Sequence, residues 1–128
     1  MSATILLVED NPANRKLATT VLEHAGYRVL IADDATTGIA VAHQERPDLI
    51  LMDIQLPGID GLEATRRLKA TEDTVAIPIV ALTAFAMKGD EERILAAGCD
   101  GYIAKPFDYK IMIARVAELL AGATGDHP

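Results

Sequence analysis

Apolar and polar positions alternate along the chain in a pattern that recurs five times. Short apolar runs lie at Thr4–Val8, Arg28–Ala32, Leu49–Met52, Ile77–Leu82 and Gly101–Ala104. Each is followed by a longer stretch whose apolar residues recur with helical spacing. The runs are continuous rather than alternating, which is the pattern of strands covered on both faces, and so of a parallel sheet. After the first run, Leu17, Ala18, Val21, Leu22 and Ala25 mark one face of a helix. Asn11 suits its N-cap, Pro12 its first position and Gly26 its stop. Further helices are predicted within Asp34–Gln44, Gly61–Ala70 and Met87–Ala97, with Gly98 at a left-handed cap. A last helix carries Met112, Val116, Leu119 and Leu120 on one face. Strand–helix alternation with right-handed crossovers makes a three-layer, doubly wound α/β fold. One domain over residues 1–122 is expected, with a short flexible tail over 123–128.

The strand ends carry the chemistry. The first run closes on Glu9 and Asp10, the third on Asp53, the fourth on Thr83 and the fifth on Lys105 and Pro106. In a parallel α/β sheet all strand carboxyl ends open on one edge, where ligands bind. Three carboxylates, a hydroxyl and an ammonium would meet there. Bare carboxylates that close repel and raise one another's pKa, and a divalent cation relieves this. Mg²⁺ takes hard oxygen ligands and keeps several waters. With Lys105, such a cation balances the three acids.

Composition narrows the partners. The formal charge is −7, from 12 basic and 19 acidic side chains. That balance disfavours nucleic acid, whose phosphates need clustered Lys and Arg, and equally an anionic membrane surface. Cys99 is the single cysteine, so an intrachain disulfide or multi-cysteine zinc site is excluded, and it reads as a core residue. No apolar run approaches the roughly 20 residues that span a bilayer. No secretory leader is evident, so a cytoplasmic setting is expected. His24, His43 and His127 lie away from strand ends and read as surface residues. A Walker-type phosphate loop is absent. A flavin phosphate would be repelled by Glu9 and Asp10 after the first strand.

The motifs I-L-L-V-E-D-N at 5–11, L-I-L-M-D-I-Q-L-P-G-I-D-G at 49–61, A-L-T-A at 81–84 and K-P-F at 105–107 resemble the receiver domain of two-component response regulators. The resemblance runs from about Thr4 to Leu120, and T-A-F-A-M-K-G-D-E-E-R at 83–93 is similar to single-domain cell-cycle members. It implies a flavodoxin-like fold of five parallel strands in the order 2-1-3-4-5 with five helices. It implies that Asp53 is the phosphoacceptor, taking a phosphoryl group from a histidine kinase or histidine phosphotransfer protein. Asp10 and Asp53 would then bind Mg²⁺ directly, Glu9 through water and Gln55 through its backbone carbonyl, with Mn²⁺ able to substitute. Lys105 would pair with the phosphoryl group, and the Lys105–Pro106 bond would be cis.

Thr83 and Tyr102 read as the switch. A phosphoryl oxygen on Asp53 is a strong acceptor for the Thr83 hydroxyl, and the space vacated by Thr83 can be filled by Tyr102. Phe85, Phe107 and Tyr109 lie near the same edge, which suggests a partner face built from helix four, strand five and helix five. Each of them could equally serve local packing. By resemblance, Gln55 and Phe85 flank the path of a hydrolytic water. The expected protein is a stand-alone receiver, monomeric or weakly dimeric, that catalyses only its own phosphorylation and slow dephosphorylation. The alternatives are a Mg²⁺-dependent acid-nucleophile phosphatase and a receiver cut from a hybrid kinase.

Overall fold

The computed structural model describes residues 2–84, 88–105 and 108–123. Ten elements alternate strictly: β1 (Thr4–Val8), α1 (Pro12–His24), β2 (Arg28–Ala32), α2 (Ala35–Glu45), β3 (Leu49–Asp53), α3 (Gly61–Lys69), β4 (Ile79–Thr83), α4 (Lys88–Ala96), β5 (Gly101–Ala104) and α5 (Tyr109–Ala123). The strands form one parallel sheet in the order β2-β1-β3-β4-β5. This is the flavodoxin-like arrangement expected from the motifs.

Hydrophobic burial sets the layers. Ala18 and Leu22 of α1 and Met112, Val116 and Leu120 of α5 pack on Ile5, Leu7, Leu49, Leu51, Val80 and Leu82. On the other face α2, α3 and α4 cover Leu6, Val8, Ile50, Met52 and Ala81. The three inner strands are buried almost throughout, which explains their unbroken apolar runs. The outer strands β2 and β5 keep exposed positions. On α1 the spacing marked Leu17 as part of the apolar face, yet it is 53 % exposed; the stripe is wider than the sheet surface beneath it.

Local signals hold the helices in place. The Asn11 side chain caps α1 by accepting from the Asn14 N–H, and Pro12 sits in the first turn. Asp34 and Asp60 cap α2 and α3 in the same way. Gly26 and Gly98 adopt φ of +99° and +109°, the left-handed conformation that ends α1 and α4. Helix α2 runs one residue beyond its expected limit, to Glu45, because Arg46 itself takes the left-handed turn at φ 45°.

Three strand limits differ from expectation, and two of them bear on the site. β3 and β4 extend one residue further, so that Asp53 pairs with Leu82 and Thr83 with Ala104. The acid and the hydroxyl therefore stand on ladder backbone rather than in loops. At its start β4 begins at Ile79, not Ile77. Pro78 has no N–H to donate to a ladder. Ile77 is apolar because it is buried in the turn that leads into the strand.

Gly61 joins fold to site. A Cβ there would collide with the Asp53 carbonyl oxygen and the Ile54 Cα, so α3 starts directly against the backbone of the strand end. Its N–H donates to the Ile54 carbonyl at 3.2 Å. Gly61→Ala should cost about 1–3 kcal/mol by overpacking. Urea denaturation should show a lower midpoint at unchanged slope; a midpoint equal to the parent's would contradict the close approach.

Candidate metal and phosphoacceptor site

The sheet order reverses between β1 and β3: the chain passes from β1 to β2 on one side and from β3 to β4 on the other, and crevices in α/β sheets form at such points. Val8 pairs with Met52 in register, so the next residues, Glu9 and Asp53, stand side by side. Glu9 is 1 % and Asp53 2 % exposed, whereas Asp10 is exposed at the mouth. One carboxylate oxygen from each of Glu9, Asp10 and Asp53 lies within 4.8 Å of the others. The structure thus brings together the three acids that the strand ends indicated.

Lys105 reaches the same place from the end of β5. Its Nζ donates to Asp53 Oδ2 at 2.7 Å and to Glu9 Oε1 at 3.4 Å. The other Asp53 oxygen, Oδ1, accepts the Gln55 N–H at 2.8 Å, which turns the β3–α3 loop. Glu9 is served less well: its Oε2 is buried and finds no donor among the described residues. Burial pushes the Glu9 carboxyl up to about 7, the adjoining Asp53 adds to the rise, and Lys105 opposes it. For Lys105, burial alone would lower the pKa; the hydrogen bond to Asp53 and the charges of Asp53 and Glu9 overcome this and hold it above the usual lysine value.

An orphaned, buried carboxylate oxygen beside two further acids is a donor set short of positive charge. A hard divalent cation with oxygen ligands and retained waters fits it. Gln55 is exposed and adjoins the acids through the loop that its N–H anchors.

Thr83 is fully buried at the end of β4, and its carbonyl accepts the Lys105 N–H at 2.7 Å. Tyr102 is half-buried against the α4 side of the sheet, with Glu91 of α4 beside its hydroxyl; that neighbour is the main cause of the raised tyrosine pKa. Pro106 with its expected cis bond, and Phe85 and Phe107 with their expected places at the edge, lie outside the described residues. Tyr109 opens α5 and packs on the α1–α5 side. His24 is exposed and His43 half-buried, both away from the acids; His127 lies outside the described residues. Cys99 is buried, and burial raises its thiol.

One residue at the site escaped the sequence reading. Arg15, in the first turns of α1, donates from Nη1 to the Glu9 carbonyl at 3.1 Å. A cation near a helix N-terminus works against the helix dipole, and that was the available signal.

A doubly wound sheet that presents Glu9, Asp10, Asp53, Thr83 and Lys105 at one edge defines a receiver, and the family model of the response regulator receiver domain matches residues 5–117. The chain belongs to that family. It is 44 % identical over 126 residues to the polar-differentiation response regulator DivK of Brucella anthropi, a match covering 98 % of this chain and 99 % of that protein. Among solved structures, it is similar to the receiver domain of a sensor histidine kinase from Pseudomonas aeruginosa, described with a magnesium ion coordinated in the active-site cleft. That similarity has a TM-score of 0.88 and 40 % identity, covering 94 % of this chain and 99 % of the other. A CheY-like receiver domain protein from Methanospirillum hungatei has a TM-score of 0.90 at 28 % identity, covering 99 % of this chain and all of that one. No helix among the described residues is long and apolar enough to cross a membrane.

The buried Glu9 makes a pH prediction for metal-free protein. Its carboxyl binds a proton more tightly when folded, at about 7, than at the ordinary value of 4.5. Stability from this group is full below 4.5 and is lost as pH rises through about 7. Glu9→Gln cannot ionise and should lack that loss. In EDTA, the variant's melting temperature relative to the parent should rise between pH 5 and 8; a constant difference would contradict the burial effect.

Proposed function

We propose that this receiver accepts a phosphoryl group on Asp53 from a phosphohistidine of a histidine kinase or phosphotransfer protein. Phosphorylation then signals by changing protein–protein binding. The observation that carries the reading is the position of Asp53: buried at a strand end, 2.7 Å from the Lys105 ammonium and within reach of Glu9 and Asp10. An Asp53 oxygen attacks phosphorus, the P–N bond to the donor imidazole breaks, and its electron pair stays on the imidazole nitrogen. Small acyl phosphates would serve by the same displacement, with a carboxylate as leaving group.

Glu9, Asp10, Asp53 and the Gln55 carbonyl would hold Mg²⁺, with Mn²⁺ as a substitute of like octahedral oxygen preference. When bound, the cation neutralises charge on the acids and on the phosphoryl oxygens. Lys105 sheds no proton in this scheme; it pairs with a phosphoryl oxygen once Asp53 carries the acyl phosphate. The activity is self-modification with slow loss of phosphate, not turnover of an outside metabolite. A donor kinase and Mg²⁺ both suit a cytoplasmic setting.

The switch reading draws on register. Thr83 pairs with Ala104, and Ala81 with Tyr102. Side chains two apart on a strand share a face, so Thr83 and Tyr102 are diagonal neighbours on the α4 side. The residue directly opposite Thr83 is only a methyl. Movement of the Thr83 hydroxyl toward a phosphoryl oxygen leaves room for the Tyr102 ring, and this alters the face made by α4, β5 and α5. The same chemistry serves a receiver within a histidine kinase, the setting of the Pseudomonas relative.

Incubation with acetyl phosphate and Mg²⁺ should add one phosphoryl group to the parent and none to Asp53→Asn, read by intact mass. Retained Mg²⁺-dependent labelling of the variant would sink the assignment. Sustained phosphate release far above protein concentration would favour the phosphatase alternative. Thr83→Ala should still accept phosphate but lose most of its phosphorylation-dependent kinase or target binding. Normal phosphorylation-dependent binding by that variant would remove the switch role.

A further inference from the structure

We infer that Arg15 is a positioning residue for the divalent cation site: it fixes the Glu9–Asp10 peptide, and through it the aim of both carboxylates. This rests on the reading of Glu9, Asp10 and Asp53 as the cation site. The reason lies in where the β1 ladder stops. The Glu9 N–H donates to the Ala32 carbonyl at 3.0 Å, the last bond that β1 makes toward β2. The strand ends at Val8 and α1 begins at Pro12, so the Glu9 carbonyl lies past the ladder. Arg15 Nη1 supplies its donor at 3.1 Å. A peptide group is planar, so fixing this carbonyl also fixes the Asp10 amide and the Cα positions of both acids.

The guanidinium acts through this bond rather than through charge pairing. Among the described residues Arg15 has no ion-pair partner, whereas Lys105 meets Glu9 and Asp53 directly. The two cations thus divide the work: Lys105 sits against the carboxylates, and Arg15 holds the backbone behind them. Lysine would be a poor replacement at position 15, because its single flexible ammonium lacks the rigid fork of guanidinium donors. Groups that orient metal ligands without touching the metal typically govern affinity by about 10–100-fold.

The sign of the effect separates positioning from electrostatics. Removing a nearby positive charge should by itself strengthen Mg²⁺ binding. Removing the carbonyl's donor should weaken it. The test is calorimetric titration of Mg²⁺ into the parent, Arg15→Met, Arg15→Lys and Lys16→Met. The last removes the same charge from an exposed neighbour that lacks the contact. Arg15→Met should bind Mg²⁺ about tenfold more weakly, Arg15→Lys should fall between it and the parent, and Lys16→Met should bind no more weakly than the parent. Melting in EDTA checks that each variant folds, and Arg15→Lys carries the test if Arg15→Met does not. Unchanged or tighter Mg²⁺ binding by folded Arg15 variants, with a binding parent, overturns the positioning role and leaves the cation site standing. A parent that takes up no Mg²⁺ overturns the cation site and this role together.

Discussion

The ammonium of Lys105 lies between Asp53 and Glu9, at 2.7 and 3.4 Å, and the sheet edge depends on that contact. Two buried carboxylates on adjacent strands would otherwise face each other with little solvent. Removing one partner of a buried ion pair costs about 3–5 kcal/mol, because the remaining charge is left uncompensated. Here two carboxylates rely on one ammonium, so compensation is incomplete even when it is present. The deficit is visible at Glu9, where one oxygen has no donor among the described residues and the carboxyl holds its proton up to about 7. The site is therefore built to gain from further positive charge, and the fold tolerates the deficit because the strands beneath it are almost wholly buried.

A second cation organises the opposite, amino-terminal edge of the sheet. Lys69 Nζ donates to the Ile77 carbonyl at 2.8 Å, the Val75 carbonyl at 3.2 Å and Asp100 Oδ2 at 3.1 Å. The same Asp100 oxygen accepts the Ile79 N–H at 2.8 Å. One lysine thus ties α3 to the segments that enter β4 and β5, the strands whose far ends carry Thr83 and Lys105. A cation at one edge fixes backbone, and a cation at the other fixes carboxylates. The two edges are joined by rigid strands of four or five residues.

Most of this fold was legible in the sequence because burial writes itself as apolar runs. The inner strands are covered on both faces and read as continuous, and the acids stood out because they ended such runs. What was not legible depends on backbone rather than on residue type. Ile77 looked like strand because it is buried, but only the missing N–H of Pro78 decides that the ladder starts later. Leu17 looked like core because helical spacing marks a stripe and says nothing of how wide the covering surface is. The contacts of Arg15 and Lys69 are to carbonyls, which every residue has, so composition carries no trace of them. Their sole mark is indirect: a cation near a helix start, and a lysine and an aspartate 31 residues apart.

The difference between Lys105 and Arg15 bears on how such an edge can be tuned. A change at Lys105 alters charge inside the site and, on the proposed function, would disturb stability, cation binding and phosphoryl pairing together. A change at Arg15 leaves the three acids and their ammonium in place and shifts only how well the β1–α1 peptide aims two of them. Cation affinity can then vary while the reacting groups stay the same. The less enclosed acid of the site is the exposed Asp10, on the loop side, rather than Asp53. Asp53 is held by a ladder pair, by the Gln55 N–H and by Lys105, with Gly61 packed on its carbonyl. An attacking nucleophile needs fixed geometry more than a cation ligand does, since ligands can adjust through intervening water while an in-line displacement cannot.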